Sequence, residues 1–61
     1  MKTAFIKYLI QISNNDVDVL AALLLHEAME NQNPQVFDLM KDDVPITLDT
    51  FKQIAISLTE M

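Results

Sequence analysis

The sequence predicts an all-α protein, a small bundle of three to four short helices completed by homo-oligomerisation, with a dimer favoured. Three observations predict it. The segment from Val17 to Glu30 is built from strong helix formers and is rich in Leu and Ala. The last segment repeats its apolar residues at helical spacing from Leu48 to Leu58. The chain also carries more apolar surface than so few residues can cover, since a domain of about 60 residues hides only about 60% of the surface its unfolded form exposes.

The 61 residues predict one helical domain, 1–61, with no repeat or long linker. The first segment, Lys2 to Ser13, places Thr3, Lys7 and Gln11 four residues apart, so on a helix they form one narrow polar stripe with apolar residues beside it. Ile6, Tyr8, Ile10 and Ile12 also alternate as a strand would, and their β-branched and aromatic side chains suit a sheet. Helix is favoured because a lone strand has no evident partner in so short a chain.

Ser13-Asn14-Asn15 offers caps for the second helix, and Asp16 and Asp18 then fall in a first turn, where negative charge meets the positive helix end. Between Val19 and Leu25 no residue is polar. Seven apolar residues cover nearly two turns, so this helix is apolar on all sides over its middle and is expected at the centre of a bundle or in an oligomer seam.

Asn33 caps a short third helix with Pro34 in its first turn, where the missing N–H costs nothing. Val36, Phe37, Leu39 and Met40 give that helix a partly apolar face, and Lys41 to Pro45 closes it. Thr47 caps the fourth helix. It carries Leu48, Phe51, Ile54, Ala55 and Leu58 on one stripe, packed on the second helix, and Asp49, Thr50, Gln53, Ser57 and Glu60 on a solvated face, with Ile56 as an apolar intruder.

Composition restricts function. The net charge of −5 is unevenly spread: residues 1–15 hold Lys2 and Lys7 and no acid, a balance of +2, whereas residues 16–61 hold two lysines and nine acids, a balance of −7. An acidic body without arginine makes nucleic acid an unlikely partner, because affinity for phosphate backbones comes largely from Lys and Arg. The absence of cysteine removes thiol and zinc-finger chemistry and predicts a reducing, cytoplasmic location. Lys7 and Gln11 interrupt the apolar start that a secretion signal needs, and no stretch reaches the about 18 apolar residues of a transmembrane segment.

No catalytic, cofactor or metal site is read in the chain. His26 and Glu30 share a helical face but lack the second histidine of the zinc-helix motif. Asp42-Asp43 lacks the glycine and distal glutamate of a calcium loop. Ser13 and Ser57 have no motif around them, His26 is the sole histidine, and a chain without glycine builds no phosphate-cradling loop. Met1, Met29, Met40 and Met61 are scattered rather than striped. An amphipathic first helix at a membrane surface would have only Lys2 and Lys7 to attract it there.

The function expected is therefore that of a non-enzymatic protein-interaction module, a regulator, adaptor or inhibitor acting through a helical surface on a protein partner that itself presents a basic surface. Candidate contact residues are Phe5, Tyr8, Leu9, Leu20, Leu24 and Ile56. The alternative is a helix-turn-helix DNA-binding regulator using helix 47–60, with Thr47, Thr50, Lys52 and Gln53 toward base edges. Asp42, Asp43 and Asp49 crowd the end that would enter the groove.

Overall fold

A computed structural model describes residues 4–40 and 44–60, so Asp42 and Asp43, Met1 and Met61 lie outside the described residues. Four helices form among the described residues: α1 (Ala4–Ile12), α2 (Val17–Glu30), α3 (Pro34–Phe37) and α4 (Leu48–Thr59). No strand occurs among the described residues, so the alternation in the first segment gives way to the helical stripe. Ile6 and Leu9, three apart, share one helical face, and both are buried.

The turn between α1 and α2 is built differently from expectation. Ser13 belongs to the end of α1: its backbone N–H donates to the Leu9 carbonyl at 3.0 Å and its hydroxyl to the Ile10 carbonyl at 2.8 Å. That bond satisfies the one buried polar side chain among the described residues. Asn14 and Asn15 both adopt left-handed backbone, φ 57° and 62°, a region Asn enters more readily than most residues. The cap is Asp16 itself, whose carboxylate accepts from the Asp18 and Val19 amides at 3.0 and 3.3 Å. It serves as hydrogen-bond acceptor as well as end charge, and such caps are worth about 1 kcal/mol.

At its far end α2 stops on Gln32, which has φ 46°, while the Asn31 and Asn33 amides both donate to the Glu27 carbonyl at 3.2 Å. Glycine is the residue that favours this conformation, since a Cβ costs energy there. Gln32→Gly is expected to stabilise the fold by about 1 kcal/mol, raising Tm by about 4–8 °C in a thermal melt. An unchanged or lower Tm would show that the Gln32 side chain contributes more than its backbone strain costs.

Helix α3 is a single turn capped by the Asn33 side chain, which accepts from the Gln35 amide at 2.9 Å. It is shorter than its apolar pattern suggests: Leu39 and Met40 continue in turns held by bonds to the Val36 and Phe37 carbonyls, both at 3.0 Å. Thr47 caps α4 as expected, accepting from the Thr50 amide at 3.3 Å.

The core consists of Ile6 and Leu9 from α1, Leu20, Ala21, Leu24 and Ala28 from α2, Val36 from α3, and Phe51, Ala55 and Leu58 from α4. The most extensive helix contact is between α2 and α4, and the small side chains of Ala21, Ala28 and Ala55 lie in the same buried cluster as Phe51. An exposed ion pair, Lys52 Nζ to Asp18 at 3.5 Å, joins the first half of α4 to the first turn of α2 and adds little stability.

Two expectations about burial are corrected. In the Val19–Leu25 run, Leu20, Ala21 and Leu24 are buried and Leu23 and Leu25 half-buried, but Val19 and Ala22 are exposed. Three other short helices can cover one side of a two-turn apolar cylinder but cannot surround it. On α4, Leu48, the first residue of the helix, is 43% exposed rather than in the core.

Candidate interaction surface

The six residues expected to meet a partner divide sharply. Leu9, Leu20 and Leu24 lie in the core, so they hold the subunit together and present nothing outward. Phe5 is half-buried against the same core. Tyr8 is 55% exposed and Ile56 37% exposed, on different helices.

Tyr8 has company that the six did not include. Ile12, four residues on, is 49% exposed, and Ala4, four residues back, is exposed as well. At four-residue spacing these three form one outer seam on α1, on the side away from Ile6 and Leu9. Lys7 and Gln11 are exposed beside it. The seam exists because α1 is apolar almost all round while one face is enough to close the core.

A second surface was not foreseen at all. Residues on either side of 41–43 meet α4 around a groove of about 450 Å³. Leu39, Met40 and Val44 form one bank, and Thr50, Gln53, Ile54 and Ser57 of α4 form the other. Three of the α4 residues read as a solvated face, Thr50, Gln53 and Ser57, are thus a groove wall. The available signal was the apolar content of the connection, with Leu39, Met40, Val44 and Ile46 in a stretch that a purely solvated loop would fill with polar side chains.

Charge is distributed unevenly about the groove. With successive residues about 100° apart around a helix, Asp49 and Glu60 fall beside Gln53, on the outer rim of the α4 bank. Lys52 falls on the opposite flank and is paired with Asp18. Asp49 and Glu60 are exposed and form no ion pair among the described residues.

What the groove can do chemically is bind carbon and exchange a few hydrogen bonds with hydroxyl and amide groups. Ser57 contributes a hydroxyl, but His26, the one imidazole of the chain, is not in the walls. His26 and Glu30 are exposed near the end of α2, and no group of three or more metal-ligating side chains is assembled among the described residues. No described helix is long and apolar enough to cross a membrane.

The residues considered for base contacts are engaged within the fold. The Thr47 hydroxyl caps α4 and bonds to the Thr50 hydroxyl at 3.2 Å, and Lys52 turns to α2. Gln53 faces the groove. No family model matches the chain, and neither a curated protein nor a solved structure shows significant similarity to it.

Proposed function

We propose that the chain is a non-enzymatic protein-interaction module, a small regulator, adaptor or inhibitor that acts as one cytoplasmic domain through its helical surface and associates with a second copy of itself. The observation that carries this reading is the outer seam of α1, where Tyr8 and Ile12 stay exposed on a well-formed helix although their neighbours Ile6 and Leu9 are fully used in the core. Adjacent exposed apolar side chains on a rigid element are what a partner surface needs, and a tyrosine is well suited to anchor one. The acidic balance of residues 16–61 favours a partner with a basic surface. A DNA-binding reading through α4 gains no support from the placement of Thr47, Thr50 and Lys52.

The exposed surface, 4229 Å², is close to the about 4,000 Å² expected of a folded monomer of this mass. A single subunit therefore closes its core, and the case for partners rests on the kind of surface left outside rather than on missing volume.

The test is affinity capture from the source cell with the immobilised chain beside a Tyr8→Asp/Ile12→Asp variant whose circular dichroism matches the parent. The expected result is a protein retained by the parent, released by salt and lost from the variant. Identical retention by both chains would reject the α1 seam as the contact.

A further inference from the structure

We infer that the occupant of the groove that α4 forms with Leu39, Met40 and Val44 is the outer seam of α1 from a second copy of this chain. The inference rests on the reading of the chain as an interaction module and assigns the two surfaces that meet.

The argument begins with charge. The seam belongs to a segment holding Lys2 and Lys7 and no acid, whereas the groove belongs to the part of the chain with a balance of −7. Of the three ways in which two copies can pair these surfaces, two are opposed by like charge. Seam on seam brings Lys7 toward Lys7, and groove on groove brings Asp49 and Glu60 toward their counterparts. Seam on groove alone sets Lys7 against the Asp49 and Glu60 rim, which within its own subunit has no ion pair among the described residues.

Apolar complementarity points the same way. The seam offers Tyr8 and Ile12, both about half exposed, and the groove offers Leu39, Met40, Val44 and Ile54. Gln53 and Ser57 in the groove wall supply hydrogen-bonding partners for the phenol of Tyr8, as an amphipathic ring at an interface requires. One contact thus covers both unpartnered surfaces.

Size favours a second copy over an isolated foreign helix. A nine-residue helix is only about 14 Å long, and stable interfaces bury about 1,200–2,000 Å² in total. A two-fold pair repeats the seam-in-groove contact twice and doubles the buried area without any new surface.

Sedimentation of the full chain from about 10 μM to about 1 mM at low salt tests this. The expected result is a concentration-dependent dimer that weakens as salt rises. Tyr8→Asp is expected to weaken it by about 30-fold or more with the helical signal unchanged, because Tyr8 lies outside the core.

Charge reversal gives the sharper arm. Lys7→Glu alone and Asp49→Lys/Glu60→Lys alone should each weaken self-association. An equimolar mixture of the two chains should recover it, since every contact in the mixed dimer again pairs opposite charges. Dimerisation unaffected by Tyr8→Asp, or a mixture no stronger than its components, overturns the assignment of surfaces. A monomer at about 1 mM overturns self-docking altogether while leaving the protein-partner reading to the capture experiment.

Discussion

Phe51→Ala is expected to remove most or all of the stability of this protein. Phe51 is completely buried and heads the fully enclosed side chains by volume, at the contact between α2 and α4. Truncating a buried phenylalanine costs about 3–5 kcal/mol, from lost transfer free energy and from the cavity that neighbours fail to fill. A domain of this length commands about 3–9 kcal/mol in total, taking about 0.05–0.15 kcal/mol per residue. The variant should therefore show a urea midpoint far below that of the parent, or no folded baseline at all. The measurement is helical circular dichroism against urea for both chains. A loss below about 1 kcal/mol would mean that α4 is not the element that closes the core.

Leu24→Ala separates two roles that the sequence leaves superimposed. If Leu24 met a partner, its loss would leave the isolated subunit intact and weaken association. Its complete burial within one subunit predicts the opposite: a drop in folding stability of about 2–5 kcal/mol that is the same at low and high protein concentration. The check is a pair of denaturation curves at concentrations differing by about a hundredfold, because stability coupled to association shifts with concentration by mass action. A difference between parent and Leu24→Ala that changes steeply with concentration would return Leu24 to an interface. Tyr8→Asp, outside the core, should leave the stability at the low concentration nearly unchanged and lower it only at the high one, so the two substitutions form a matched contrast.

The helices were legible because their determinants are local. Val17–Glu30 is rich in Leu and Ala and free of Gly and Pro, and the Asn33-Pro34 and Thr47 starts carry their own hydrogen-bond acceptors within three residues. The stripe on α4 identified Phe51, Ala55 and Leu58 as core correctly, since periodicity alone marks one face. Leu48 failed because periodicity does not say where along a helix the contact ends. The cap at Asp16 was missed for a related reason: Ser13, Asn14, Asn15 and Asp16 are all competent caps, and the choice fell to the one that follows the two left-handed asparagines.

The candidate surfaces were less legible. Tyr8 and Ile56 remain exposed and Phe5 partly so, but Leu9, Leu20 and Leu24 are consumed by the fold. A helix that is apolar all round gives no internal sign of which residues its neighbours will cover. The groove depends on Leu39, Met40 and Val44 meeting α4, a contact between a non-helical stretch and a helix for which no periodicity exists.

By itself the sequence determined that the chain is helical, where α3 and α4 start, and that its charge divides into a basic opening and an acidic remainder, because propensity, capping and charge are properties of residues and their near neighbours. Only the tertiary structure decided which apolar side chains are spent on the core and which are left for a partner. That choice is made by packing between distant segments: α4 closes over one side of α2, and the outer side of α1 and the groove edged by Leu39, Met40 and Val44 stay outside.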